Sequence, residues 1–183
     1  MSTRRELVVD PGASHLALRT RSRGLLARLA HDLELRSTAV AGVASVDGEA
    51  WTAEITVPVD SLRVAGTLHG DDLDADGLGA SDRGEVERKV REEVLGGTRA
   101  VLAKASGTAR TGGKAAVALA RKEAPSTVTF RSVDDRPGGT IVVKGRATLS
   151  LAALDVREVK GPLGAFRVAD AVEVIFELSL KPA

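Results

Sequence analysis

The residues of this chain that could bind a metal are spread along it, with one cluster. Asp72, Asp74 and Asp76 precede Gly77 with the spacing that opens a calcium-binding loop. The twelfth position of such a loop requires a bidentate Glu, but here it is Arg83, and no helix leads into the loop. We therefore interpret this stretch as a solvated acidic loop and predict no metal site.

The side chains that could move a proton or attack a substrate are equally scattered. His15, His31 and His69 would act together only if the fold brought them together. His31 and Asp32 could form a proton-handling pair, although a His at such a junction more often fixes a turn. The chain has no cysteine, and Ser81 lies in no nucleophile motif. We therefore predict a protein that is not an enzyme and uses no cofactor.

The composition limits the class of protein further. The chain has 183 residues, enough for one domain, which we predict to span 1–183. The 26 Lys and Arg residues nearly balance the 25 Asp and Glu residues, and a net charge of +1 argues against nucleic acid as a partner. No apolar stretch is long enough for a signal peptide or a bilayer span. We therefore expect a cytoplasmic protein without stable membrane insertion.

The elements that must position these residues are mainly strands. The clearest is the closing strand, where Val172, Val174, Phe176, Leu178 and Leu180 alternate with more polar residues. Several further short amphipathic runs, separated by Gly-containing turns, show the same period of two. This pattern predicts a mainly β fold, either an antiparallel barrel or an antiparallel sandwich.

Two helices are predicted beside the strands. A short one lies near 22–30, with Ser22 as its N-cap. A longer one lies near 82–95, where Asp82 and Glu85 resemble a capping box and Gly96-Gly97 ends the helix.

Three segments in the same order resemble the YceI-like family. Residues 30–33, Ala-His-Asp-Leu, are similar to the Gly-His-Asp-Leu motif of one branch, and 81–95 is similar to its charged helix. The third match is VKGPLGAFRVADAVEVIFEL at 159–178. This chain departs from the family where Arg121-Lys122-Glu123 replaces a glycine-containing turn. The resemblance implies an antiparallel lipocalin-like β-barrel of about eight strands that binds a polyisoprenoid or another lipid.

The resemblance and the aliphatic inward faces together predict an apolar small molecule, isoprenoid or acyl, as the ligand. Small inward residues such as Ala103, Ala105, Ala115 and Ala147 favour a hollow interior. The alternative is a structural or partner-binding module with a filled interior, possibly a homodimer. The candidate cavity residues are Leu16, Leu18, Leu26, Leu29, His31, Leu33, Leu35, Ile55, Val57, Val101, Ala103, Val117, Leu119, Phe130, Val143, Leu149, Phe166, Val174, Phe176 and Leu178.

Overall fold

The computed structural model of the chain describes residues 4–24, 30–161 and 167–183. Within these ranges the chain forms fourteen strands and a helix of 15 residues. The strands are β1 (Arg5–Val9), β2 (His15–Thr20), β3 (Ser22–Arg23), β4 (Asp32–Ser37), β5 (Ala41–Asp47), β6 (Ala50–Pro58), β7 (Arg63–His69), β8 (Asp72–Asp74), β9 (Ala100–Ala109), β10 (Gly112–Leu119), β11 (Lys122–Asp135), β12 (Ile141–Ser150), β13 (Arg167–Val168) and β14 (Ala171–Pro182).

Eight of the described strands close into an antiparallel barrel, as predicted. Their order around the barrel is β1, β5, β6, β9, β10, β11, β12 and β14, and β14 pairs back onto β1. The closing strand predicted at Val172–Leu180 is β14, which pairs with β12 along one edge and with β1 and β2 along the other. Closure leaves no free edge at this end of the barrel.

The other end of the barrel is wider because three strands continue past the closed ring. After short breaks in the chain, β2 follows β1 and β7 follows β6, whereas β4 precedes β5, and these three strands form a sheet extension with β8. The break before β7 comes at Pro58, where β6 ends, so β7 pairs with β4 but not with β9. This divergence opens a gap between β8 and β9 that we call the mouth of the barrel.

Helix α1 (Ala80–Lys89), extended by a π-helical turn at Val90–Val94, lies beside this gap. Its side chains satisfy backbone groups of β7: Glu87 Oε1 accepts from the Val64 N–H at 2.9 Å, and Arg83 donates to the Val64 carbonyl at 3.0 Å. The helix therefore covers a strand edge that would otherwise be exposed.

The predicted helix near 82–95 is confirmed, but the capping box predicted at its start is wrong. The helix begins at Ala80, and its N-cap, Gly79, offers no side chain. The Asp82–Glu85 capping box therefore does not form. The predicted stop is correct, because Gly96 and Gly97 follow with φ of 58° and 69°, which glycine adopts readily.

The N-cap predicted at Ser22 for the short helix near 22–30 is also wrong. Ser22 and Arg23 form β3, which pairs with β13. The Ser22 N–H donates to the Asp32 carboxylate at 2.6 Å, and this bond holds the chain extended. The rest of the predicted helix, 25–29, lies outside the described residues.

The turn between β10 and β11 also differs from the expectation of a turn at 121–123. Lys122 already pairs with Leu119, so the loop consists of Ala120 and Arg121 alone. Ala120 takes the left-handed conformation, with φ of 53°.

Candidate ligand-binding cavity

The barrel encloses a cavity of about 560 Å³. This volume falls in the range of small-molecule sites, ~300–1,000 Å³. One buried cluster, built around Leu7, Val40 and Ile141, packs the closed end. A second cluster, built around Leu119, Ala124 and Leu154, packs beside the mouth.

The structure places the predicted wall residues on the lining of this cavity wherever it describes them. Leu26, Leu29 and Phe166 lie outside the described residues. The others line the cavity: Leu16, Leu18, His31, Leu33, Leu35, Ile55, Val57, Val101, Ala103, Val117, Leu119, Phe130, Val143, Leu149, Val174, Phe176 and Leu178. That these side chains contact a ligand stays a prediction.

A row of small side chains runs across the middle of the wall. Ala44, Ala53, Ala105, Ala115 and Ser126 are successive cross-strand partners on β5, β6, β9, β10 and β11. All five line the cavity. Directly opposed residues on a sheet have Cβ atoms ~5 Å apart. Five small side chains in such a row therefore form a continuous strip of wall from which no large side chain projects into the cavity. We call this strip the alanine row, and it explains why the interior is hollow at this height.

An aromatic cluster forms the floor of the cavity below the alanine row. The ring centroids of Trp51 and Phe130 are 5.0 Å apart, and Phe130 meets Phe176 edge-on at 6.5 Å. The Trp51 indole N–H donates to the Ala109 carbonyl at 3.1 Å, which satisfies the one polar atom of the ring. The three rings come from β6, β11 and β14, which are not neighbours in the sheet, so they meet inside the barrel and not along one strand pair.

Glycines make room for these rings. Gly145 lies between Phe130 and Phe176 in register, and a Cβ there would come within 2.6 Å of the Phe176 ring. A Cβ at Gly113 would come within 2.8 Å of the Trp51 ring and would also meet the Ser106 carbonyl. Only glycine fits these positions without moving an aromatic ring.

An ion cluster lies beyond the aromatic floor, at the closed end. Asp135 accepts from Arg110 at 2.6 Å and from Arg5 at 3.4 Å, and both arginines line the cavity. The bond from Arg110, supported by that from Arg5, holds the pKa of Asp135 below its usual range. At this end one carboxylate therefore offsets one of the two positive charges.

A second carboxylate fixes part of the mouth. Asp170 accepts from the Ala152 N–H and from the Ser150 hydroxyl, each at 2.7 Å, and these bonds lower its pKa. They hold the turn after β12, whose residues Leu151 and Leu154 line the cavity. Charged or polar lining residues at the mouth are Ser22, His31, Lys89 and Lys160.

Several residues of the cavity wall are not among the candidates predicted from the sequence. Trp51, the small residues of the alanine row and the helix side chains Val86, Val90 and Val94 all line the cavity. The apolar residues of the helix recur at every fourth position, which indicates that this face is buried. The pattern does not indicate that the face lines a cavity.

The candidates for chemistry have local roles in the structure. Asp32 binds the Ser22 N–H and Arg21, so its carboxylate fixes the turn beside His31. Asp74 accepts from the Asp76 N–H and lies in a strand paired with β7. Across the described ranges, no group of three His, Cys, Asp or Glu residues is arranged to hold a metal ion.

The helix in the described part of the chain is neither long nor apolar enough to cross a bilayer.

The fold and the cavity together define the class: an antiparallel, lipocalin-like β-barrel with an apolar interior. The crystal structure of Burkholderia cenocepacia BcnA has the same fold, with a TM-score of 0.65 over 93% of this chain and 98% of that chain. The two sequences are 16% identical, so the likeness concerns the fold. No protein-family profile matches the chain, and no curated protein does either.

Proposed function

We propose that this protein binds or carries an apolar, elongated molecule of the isoprenoid or fatty-acyl type inside its barrel, without catalysing a reaction. The observation that carries the proposal is the cavity itself, about 560 Å³ of space walled by aliphatic and aromatic side chains. The sequence resemblance to YceI-like proteins favours the same ligand class.

The energetics of burial favour a hydrocarbon ligand. Each methylene transferred from water into such a cavity contributes ~0.8 kcal/mol, so a long tail binds without a charged anchor in the interior. The cavity extends from the aromatic floor at Trp51 to Leu151 at the mouth, which suits a long ligand better than a compact one. Water would find few partners among these side chains.

A non-enzymatic role fits the polar groups of the wall. Ser126 is the member of the alanine row that carries a hydroxyl, and this hydroxyl donates to the Thr148 carbonyl at 2.8 Å. A catalytic serine would instead donate to a general base such as histidine.

Mass spectrometry of organic extracts from the natively purified protein tests the proposal. We expect an isoprenoid or acyl lipid in near-stoichiometric amount. The matched control is the Ala105→Leu/Ala115→Leu variant, which narrows the cavity and should yield less lipid. Absence of lipid from the native protein, together with no uptake of a fluorescent fatty acid or polyprenol, would contradict the proposal.

A second candidate, a partner-binding module, finds support on the outer wall. Val8 and Val43 are cross-strand partners that are 40% and 53% exposed, and Leu102 is 48% exposed. Apolar side chains of this size on an outer face favour self-association into a homodimer. The cavity argues against the filled interior that this alternative assumed. Sedimentation equilibrium of the protein and of Val43→Lys measures the oligomer: a dimer lost on substitution supports this candidate.

A further inference from the structure

The barrel wall contains a split between β11 and β12. The last rung of their ladder joins Val128 to Ala147. Beyond it, β11 continues to Lys122 paired only with β10, and β12 continues to Ser150 paired only with β14. The two strands therefore separate on the mouth side of this rung.

Pro125 prevents the ladder from resuming at the far end of the split. Phe130 donates its N–H to Thr111 on the β10 side. Backbone groups alternate in direction along a strand, so the backbone nitrogens of Thr129, Thr127 and Pro125 lie on the β12 side. Proline has no N–H to donate, so the ladder cannot continue past this position. A side chain bridges the strands instead: the Ser126 hydroxyl donates to the Thr148 carbonyl at 2.8 Å.

A cationic groove of about 510 Å³ lies outside the split. Lys114 and Arg146 flank it, and the hydroxyl-bearing Thr127, Thr129 and Thr148 line it. Lys114 donates to the Thr127 hydroxyl at 3.1 Å. Among the described residues, neither cation has a carboxylate within 4.0 Å, whereas neighbouring Lys104 and Lys144 each pair with a glutamate.

The groove and the cavity meet at the split. Ser126 and Ala147 belong to the walls of both. Both side chains are small, and only the Ser126 bridge spans the strands at this height. At this height the wall between the cavity and the groove is therefore a single layer of small residues.

We propose that the groove at Lys114 and Arg146 binds the anionic headgroup, carboxylate or phosphate, of an amphiphile whose tail passes through the β11–β12 split into the cavity. This inference rests on the proposed function, because it needs a tail inside the barrel. Two cations without carboxylate partners and three hydroxyls offer charge-assisted hydrogen bonds to such a headgroup.

Three probes that share one tail test the headgroup: palmitate, hexadecyl phosphate and hexadecanol. Each displaces the neutral probe diphenylhexatriene from the protein. Lys114→Gln/Arg146→Gln should weaken palmitate and hexadecyl phosphate by about tenfold, as expected for two exposed ion pairs, and leave hexadecanol unchanged. The control Arg136→Gln/Lys181→Gln removes the same charge at the closed end and should change none of the three. The ligand whose affinity falls more in Lys114→Gln/Arg146→Gln, palmitate or hexadecyl phosphate, carries the anion that fits the groove better.

A disulfide across the split tests whether the tail enters through it. Because the chain has no native cysteine, the two introduced cysteines can pair only with each other within the chain. Oxidised Thr127→Cys/Thr148→Cys should take up palmitate at least about tenfold more slowly than its reduced form. Oxidised Ala118→Cys/Glu123→Cys, a registered pair on the continuous β10–β11 ladder, should not. Equal binding of all three probes to wild type and Lys114→Gln/Arg146→Gln would overturn this inference and leave the proposed function standing. Failure of every probe to bind wild type would overturn both.

Discussion

Ala105 of β9 lies directly opposite Ala115 of β10, and both methyl groups face the cavity. Two larger residues at these positions would meet across the strands and fill the middle of the barrel. The hollow interior thus depends on small residues that lie opposite each other on neighbouring strands. Ala53 continues this arrangement, because it pairs with Ala105 from the other side.

Filling the cavity should stabilise the protein. We expect Ala105→Leu/Ala115→Leu to raise the free energy of unfolding by about 0.5–2 kcal/mol, because the added carbons occupy space that is empty in the native protein. Urea unfolding followed by circular dichroism measures the change. A clear loss of stability would mean that the wall around these residues is already fully packed.

The turn between β10 and β11 stores strain at Ala120, whose φ is 53°. Ala120→Gly should raise the free energy of unfolding by about 0.5–1 kcal/mol, since the left-handed conformation costs a residue with a Cβ. The control Ala118→Gly, the same change inside β10, should lower it by about 0.5–1 kcal/mol. Thermal or urea unfolding measures both variants. If both substitutions change the free energy of unfolding in the same direction, this explanation is refuted.

The aromatic floor should depend on its glycines. Gly113→Ala is expected to cost about 1–3 kcal/mol and to shift the emission of Trp51, because the new Cβ meets the indole ring and the Ser106 carbonyl. Gly84→Ala, in open space on α1, should instead add about 1 kcal/mol of stability. An unchanged Trp51 spectrum in Gly113→Ala would show that the ring does not rest on this glycine.

Stability should fall in acid through Asp170. Its pKa is lowered in the folded state, so the carboxylate stabilises the fold above the unfolded aspartate pKa of ~3.9, and this contribution is lost as pH falls through the native pKa. Asp170→Asn should therefore be less stable than wild type at pH 7, with a gap that closes below about pH 4. Urea titrations at a series of pH values test this, and a gap independent of pH would contradict it.

Strand alternation predicted the inward faces and an antiparallel barrel or sandwich, and the resemblance to YceI-like proteins favoured the barrel. The period of two at Val172–Leu180 and the helical spacing of Val86, Val90 and Val94 depend on local residues alone, and both elements formed. The N-cap predicted at Ser22 does not form, because Asp32, ten residues away, binds the Ser22 N–H and Ser22 pairs with β13. Tertiary hydrogen bonds of this kind are invisible to a local pattern.

The hollowness of the interior was harder to predict, for a similar reason. The alternation shows that Ala53, Ala105 and Ala115 face inward, but not that they are neighbours. Only the register of two strand pairs brings these three residues into one row, and only register places Gly145 between Phe130 and Phe176. The split beyond the Val128–Ala147 rung likewise depends on where β12 leaves β11.

The most direct test of a hollow, ligand-binding interior is energy transfer from Trp51, the single tryptophan, to a conjugated-polyene fatty acid. Trp51 lies on the cavity floor, so a bound polyene should quench its emission in a saturable way with one site per chain. Ala105→Leu/Ala115→Leu, folded and at least as stable, should weaken this binding by about tenfold or more. Saturable transfer in the wild type that the double variant loses is the predicted result. No transfer in the wild type, or equal transfer in both proteins, would contradict it.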